Sequence, residues 1–198
     1  MSTDETISSY NRIADEFAER WQDRRNLMTA LARFVALVPD SALVLDVGCG
    51  PGYDAAALRK QGLRAIGLDL SWGMLQTGSS RYPGPYVQAD MRRLPVKSGV
   101  DAIWCSAALL HLAAEDALVA LKDFRRVLRP GGVLYLSLKE GQGASWREEA
   151  YGHHARRFYT YWQDEALDFA LQESGLTIVE RWADETTEWR WLSRLAQK

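Results

Sequence analysis

Apolar residues recur at helical spacing along the first stretch of the chain: Ile13, Phe17 and Trp21, then Leu27, Leu31, Phe34, Val35 and Val38, until Pro39 ends the run. Beyond Pro39 the pattern changes to short continuous apolar runs alternating with helical ones. Residues 42–47 (ALVLDV) predict a buried strand, and a helix including Ala55 to Lys60 follows a glycine turn. Residues 64–69 predict a second strand, with a helix beginning near Ser71. Residues 85–90 and 100–106 predict a third and a fourth. An amphipathic helix from Ala114 to Leu128 is stopped by Pro130-Gly131-Gly132, and residues 132–138 (GVLYLSL) form a fifth strand. The stretch 139–162 is polar and aromatic without a clear period. One helix (163–174) and two strand-like runs (176–183 and 187–194) close the chain as a hairpin.

Apolar strands separated by helices argue for a parallel sheet covered on both faces. The right-handed crossover rule makes that sheet doubly wound. The closing hairpin is expected to add an antiparallel strand at the sheet edge.

Composition narrows this only slightly. With 47% hydrophobic and 25% charged residues, the chain is far from disorder, and its 198 residues suit one domain. A net charge of −2 gives no global pull toward nucleic acid or anionic lipid. Basic pairs such as Arg24-Arg25, Arg92-Arg93 and Arg125-Arg126 are offset by acids and read as solvated helix faces. Cys49 and Cys105 form no C-x-x-C pair, which argues against a zinc site or disulfide framework and suits a reducing compartment. No apolar run reaches the length of a membrane span and no secretory signal opens the chain, so a cytoplasmic location is expected.

In doubly wound sheets ligands sit beyond the carboxyl ends of the strands, where the strand order reverses. The loop there runs Asp46-Val47-Gly48-Cys49-Gly50-Pro51-Gly52. A dinucleotide fingerprint, G-x-G-x-x-G, needs its third glycine at position 53, which is Tyr53. The spacing speaks against a pyrophosphate cradle and for a ligand without phosphates. Asp46, Asp69 and Asp90 end successive strands beside this loop. A carboxylate at Asp69 can accept hydrogen bonds from both hydroxyls of a ribose, and Asp90-Met91 suits an adenine edge and face. Any one of these acids alone reads as a helix cap or turn residue; the three in register with the glycine loop do not.

The motifs VLDVGCGPG (44–52), GLDLS (67–71), QADMRRLPV (88–96), VDAIWCSAALLHL (100–112) and RRVLRPGGVLYLSLKEG (125–141) resemble, in order, those of class I S-adenosylmethionine-dependent methyltransferases. The resemblance covers residues 40–141 or so and implies a seven-stranded Rossmann-like sheet whose last strand is antiparallel. It divides the expected single domain into an N-terminal helical lid (1–39), a cofactor-binding core (40–138), a substrate-side insertion (139–162) and a closing helix and hairpin (163–198). It implies S-adenosylmethionine as cofactor and S-adenosylhomocysteine as product. Gly48 and Gly50, with Asp46, would line the methionine part, Asp69 and Leu70 the ribose, and Asp90 and Met91 the adenine. The backbone at Cys105 and Ser106 would lie near the sulfonium. Tyr10, in the opening Y-N-R-I-A, would fold over the cofactor.

Methyl transfer from a sulfonium is an in-line displacement of an already activated group, so alignment and exclusion of water are the main needs. A general base matters only for an acceptor that carries a proton of high pKa. His111, after the fourth strand, is the candidate base, with helix capping or a backbone contact as the alternative. Residues 137–162 hold Arg147, Arg156, Arg157, His153, His154 and several aromatic residues. Arg156, Arg157 and Tyr159 are the candidate substrate residues, because arginine forks between aromatic walls suit a small flat or carboxylated acceptor. A packed lid with solvated arginines is the other reading. Adjacent His153 and His154 diverge on any regular element, so no metal site is expected.

The fourth strand lacks the N/D-P-P-Y/F motif of many DNA, RNA or protein amino-methylases, and no carboxylates stand there to hold magnesium. Cys105 reads as a core cysteine, not as a nucleophile. The leading function is therefore methyl transfer to O, N or C of a small molecule, without nucleic-acid or membrane partners, by a monomer or homodimer. A cofactor-binding module without turnover is the alternative from another class, and tRNA or protein methylation a less favoured one. Trp182, Trp189 and Trp191 in the closing hairpin fit a core, a substrate wall or a dimer face equally.

Overall fold

The computed structural model describes residues 2–21 and 27–198; the Arg24-Arg25 pair lies outside them. In chain order the elements are α1 (Ser2–Arg12), α2 (Ala14–Arg20), α3 (Met28–Val35), β1 (Leu43–Val47), α4 (Tyr53–Lys60), β2 (Arg64–Asp69), α5 (Trp72–Arg81) and β3 (Tyr86–Gln88). There follow β4 (Val100–Ser106), a 3-10 turn (Leu109–His111), α6 (Ala114–Val127), β5 (Leu128–Lys139), β6 (Ala144–Ala150), β7 (His153–Thr160), α7 (Asp164–Glu173), β8 (Thr177–Glu185) and β9 (Arg190–Gln197).

A seven-stranded sheet in the order β3-β2-β1-β4-β5-β9-β8 carries the fold. β1 pairs in parallel with both β2 and β4, so the strand order reverses between β1 and β4. β9 runs antiparallel to β5 and to β8. The expected antiparallel strand is therefore present, but it lies inside the sheet, and β8 takes the edge.

Alternation along each strand divides the core in two. Trp104, Tyr135, Val44 and Leu195 pack with Phe34 of α3 and Leu58 of α4 on one face. Ile103, Cys105, Leu134 and Leu136 pack with Phe124 of α6 and Leu171 of α7 on the other. Burial on both faces is what makes β1 and β4 continuous apolar runs.

Boundaries shift where local pairing decides them. β5 begins at Leu128, not 132, because Leu128 pairs with Val100 across a bulge that ends α6 one residue early. β3 shortens to three residues. Within the polar, aromatic stretch 139–162, β6 and β7 form a separate two-stranded hairpin. Its turn is Tyr151-Gly152, with φ of 52° and 80°, the two positive values that a tight hairpin turn requires. Aromatic cross-strand pairing supports it, Trp146 opposite Phe158.

The N-terminal helices close over this frame. Thr6 Oγ1 accepts from Phe158 N of β7 at 3.0 Å, and Arg12 reaches the His154 carbonyl. On its other side, Asn11 Oδ1 accepts from Ser71 Oγ and from Gly73 N at the start of α5. A Cβ at Gly73 would lie 2.6 Å from the Asn11 carbonyl oxygen, so the helices approach as closely as glycine allows. α1 is thereby clamped between α5 and β7.

Candidate active site

The carboxyl ends of β1, β2 and β4 and the inner face of α1 enclose a cavity with about 1040 Å³ of space free of atoms, its mouth included. It stands at the strand-order reversal, where doubly wound sheets bind ligands.

The glycine loop forms its floor. Gly48 has φ of 70°, and a Cβ there would stand 2.2 Å from that of Ala108, so the loop packs its bare backbone against the Ala108 side chain after β4. Gly50, with φ of 52°, has only Phe17 Cε1 near its missing Cβ, at 3.8 Å, and presents bare backbone to the cavity. Asp69 ends β2 and fixes the loop: its Oδ2 accepts from Gly50 N and its Oδ1 from Ser71 N, each at 2.8 Å. Burial pushes this carboxyl above the ordinary range, partly offset by those backbone donors. Asp69 also lines the cavity.

Asp90 and Met91 line the opposite wall. Both Asp90 oxygens are engaged by the Arg92 guanidinium, Oδ2 at 2.6 Å, and Arg92 extends on to Asp116 at 2.9 Å. Burial would raise the Asp90 carboxyl, but the hydrogen bonds and charge of Arg92 outweigh it and hold the group below its ordinary value. This clamp sets the direction of the β3–β4 loop.

Tyr10 and His111 meet at the top. Nδ1 of His111 lies 2.7 Å from the Phe158 carbonyl, which can only accept, so Nδ1 carries the proton. Nε2 is then an acceptor and takes the Tyr10 hydroxyl at 2.8 Å. Burial drives the imidazole down to about 4 against the pull of the Phe158 carbonyl, and nearby Arg157 and Lys139 add to the fall. His111 is thus a neutral acceptor near neutral pH.

Tyr10, Gly48, Gly50, Asp69, Leu70, Asp90, Met91, Ser106 and His111 all line the cavity. Other expected site residues do not. Asp46 is buried on the α4 face of β1, beneath the loop and not at its surface. Cys105 alternates away from Ser106 into the core against α6, and burial pushes its thiol up to about 12. Only Ser106 of that pair reaches the cavity.

Adjacent residues of a strand face opposite ways, which separates Arg156 from Arg157. Arg156 turns outward to Glu5 at 3.0 Å and Glu148 at 2.8 Å and lies over Trp146, so it joins the hairpin to α1. Arg157 turns inward, over the rings of Tyr10 and Tyr159. Tyr159 packs edge-on against His111 with ring centres 4.7 Å apart. Both stand one side chain behind the cavity wall.

Sequence reasoning missed Thr3, Thr6, Ile7 and Phe17, which also line the cavity. Thr3, Thr6, Ile7 and Tyr10 stand at i, i+3, i+4 and i+7, one face of a helix, and that spacing was the available signal.

A reversed parallel order, a glycine loop without the dinucleotide spacing, and a part-buried acid at the tip of β2 define a doubly wound protein whose cavity suits a ligand without phosphates. Comparison with known proteins gives the class. Residues 45–136 match a family model described as a methyltransferase domain. Malonyl-[acyl-carrier protein] O-methyltransferase of Enterobacter lignolyticus is 35% identical over 178 residues, covering 85% of this chain and 67% of that one. Trans-aconitate 2-methyltransferase of Azoarcus sp. is 36% identical over 129 residues, covering 60% of this chain and 50% of that one. The chain thus spans half to two thirds of the length of these relatives. Among solved structures, 1,6-didemethyltoxoflavin-N1-methyltransferase of Burkholderia thailandensis, with bound 1,6-didemethyltoxoflavin and S-adenosylhomocysteine, superposes with a TM-score of 0.79 at 23% identity, covering 98% of this chain and 87% of that one. The chain belongs to the class I S-adenosylmethionine-dependent methyltransferases. Among the described residues no helix is long and apolar enough to cross a membrane.

Proposed function

We propose that this chain methylates a small-molecule acceptor, and that the residues lining the cavity at the β1–β4 reversal hold the cofactor for that reaction. The observation that carries the proposal is the part-buried Asp69 carboxylate, which lines the cavity beside bare glycine backbone and is locked by Gly50 N and Ser71 N. Bound S-adenosylmethionine supplies a methyl group on a sulfonium, already activated for displacement. Asp69 takes the ribose hydroxyls. Gly48 and Gly50 admit the methionine portion, because a side chain at Gly50 would project toward the space the ligand fills. Met91 gives a polarizable face to the adenine, while Asp90, held by Arg92, offers a fixed acceptor to its amine. Ser106 and Ala107 end β4 at the reacting side. Tyr10 closes over the cavity and excludes water.

The state of His111 favours one kind of acceptor. A base with a pKa of about 4, its Nε2 already occupied by Tyr10, is badly matched to removing a proton of high pKa. An oxygen already ionised at neutral pH needs no base. A carboxylate oxygen meets this condition, and malonyl and trans-aconitate groups, named for two of the relatives, carry carboxylates.

Calorimetric titration with S-adenosylmethionine, S-adenosylhomocysteine and NAD, in the wild type and in Asp69→Ala, tests the proposal. Micromolar binding of the sulfur nucleotides alone, lost in the variant, is expected. Binding of NAD in their place would overturn it.

A further inference from the structure

Helices α1 and α2 meet α5 along a polar seam of three rungs. Asn11 bonds to Ser71 and Gly73, the Asp15 carboxylate accepts from Thr77 Oγ1 at 2.9 Å, and Glu19 faces Arg81 at 3.6 Å. Residues 11, 15 and 19 stand opposite 73, 77 and 81, so the rungs recur at helical spacing on both sides.

The first rung alone among the described residues continues into the cavity. Oδ1 of Asn11 accepts from Ser71 Oγ at 2.8 Å and from Gly73 N at 2.9 Å, which engages both lone pairs of that oxygen. An amide N–H can only donate, so the atom facing Gly73 is the oxygen and the carboxamide has one orientation. Ser71 is buried, and its own N donates to Asp69 Oδ1 at 2.8 Å. The other Asp69 oxygen holds Gly50 N, also at 2.8 Å. A continuous path thus runs from α1 through the turn between β2 and α5 to the acid and the glycine loop.

The same rung completes the cap of α5. The first N–H groups of a helix find no partner within it. The Ser71 hydroxyl accepts from Met74 N at 3.3 Å, while Asn11, from another element, accepts from Gly73 N. Without Asn11 the Ser71 hydroxyl and the Gly73 amide both lose their acceptor, and the turn that aims Ser71 N at Asp69 loses its outer anchor. Asn11 is itself exposed and does not line the cavity, so neither core packing nor contact with a ligand accounts for its placement. Asp15 and Thr77 do not line the cavity either.

We propose that Asn11 is a positioning residue: by completing the α5 cap from α1, it holds the Asp69 carboxylate in the orientation that grips the ribose. The acid is then fully set only while α1 is docked. The proposal rests on the ribose role given to Asp69 above, and adds to it a coupling between the roof of the cavity and its floor.

The test follows binding of S-adenosylhomocysteine by calorimetry and stopped-flow fluorescence in Asn11→Ala, Asn11→Asp, Thr77→Val and the pair Asn11→Ala with Asp69→Asn. Alanine removes the acceptor without weakening α1, because it is the better helix former. Aspartate keeps an oxygen in place, and Thr77→Val deletes the neighbouring rung. Asn11→Ala is expected to bind about fivefold more weakly, through faster dissociation. Asn11→Asp and Thr77→Val should stay within about twofold of the wild type. Beside Asp69→Asn, the alanine should add less than about twofold, since a residue that acts through the acid has nothing left to act on. Melting curves establish that each variant folds. Wild-type affinity in Asn11→Ala, or an equal loss in Asn11→Asp or in Thr77→Val, would overturn the proposal. So would a loss that persists in full beside Asp69→Asn, which would leave α1 a roof and no more. Failure of the wild type to bind S-adenosylhomocysteine would instead strike the function proposed above.

Discussion

Tyr10 and His111, 101 positions apart in the chain, share a 2.8 Å hydrogen bond in which the phenol donates to Nε2. The bond ties α1 to the segment after β4, and the Phe158 carbonyl fixes its polarity from the other ring nitrogen. Tyr10→Phe keeps the packing against Phe17 and removes only the latch. A part-buried hydrogen bond contributes about 1 kcal/mol, so S-adenosylhomocysteine should dissociate roughly fivefold faster. Stopped-flow fluorescence measures this directly, and an unchanged rate would show that the latch does not hold the lid.

The same imidazole makes the fold acid-sensitive. His111 titrates at about 4 in the fold against an ordinary value of 6.5, so between these values the unfolded chain binds more protons. The stability of the fold therefore falls as pH drops from about 6.5 through 4, and this group contributes no pH dependence above that window. The groups facing it are Tyr10 from α1, Arg157 and Tyr159 from β7 and Lys139 from β5. Thermal unfolding of wild type and His111→Gln across pH 4–8 should show curves that diverge in slope only below pH 6.5.

Asp69 has two tasks, and two substitutions separate them. Asp69→Asn retains one carbonyl oxygen for the loop but adds a donor where a diol needs acceptors; Asp69→Ala removes both functions. Both should weaken cofactor binding more than tenfold. The alanine should lower the melting temperature more, since it strands both the Gly50 and Ser71 amides, whereas asparagine keeps one acceptor and sets its amide NH2 against the other N–H.

The two loop glycines should fail differently. Gly48→Ala places a methyl group 2.2 Å from Ala108 Cβ at positive φ and should cost about 3 kcal/mol or more of stability in urea unfolding. Gly50→Ala meets nothing closer than 3.8 Å and bears only the strain of its φ, about 1 kcal/mol. It should fold, yet lose cofactor affinity, because its methyl group enters the ligand's space.

Burial and the charges of Arg147 and Arg157 oppose the Lys139 ammonium. Its amine is held at about 8, below the ordinary 10.5, so the fold disfavours the charged form. That penalty is complete below pH 8, fades between 8 and 10.5, and is absent above. Lys139→Met keeps contact with the rings and removes the charge that Arg147 and Arg157 repel and Glu188 attracts. It should raise the melting temperature at pH 7 by about 3 °C, with the gain shrinking by pH 10.

The sheet was largely readable because strands buried on both faces must be continuous apolar runs, as LVLDV and AIWC are. The acids at strand ends announced the cavity, since polar residues that break such runs at one end of a sheet have few structural uses. What escaped reading depends on contacts remote in sequence. The β6–β7 hairpin alternates weakly, with pattern set by its docking on α1, and its turn is made by a tyrosine at positive φ that no turn preference favours. Asp46 was placed at the cavity by adjacency to a motif, whereas strand parity turns its side chain away. Lys139 lay within a quoted motif, but its neighbours Trp189 and Trp191 arrive from the β8–β9 turn and β9, about fifty residues on.

The clamp on α1 also orders events during synthesis. Residues 2–12 leave the ribosome roughly 140 residues ahead of the β7 strand on which they dock. At the usual pace of elongation this interval lasts roughly 7–30 s. Once α5 has emerged, about halfway through it, the first helix has a partner there but none on the far side. The cavity is thus built open and roofed last, so a nascent chain can meet its ligand before it has a lid to move.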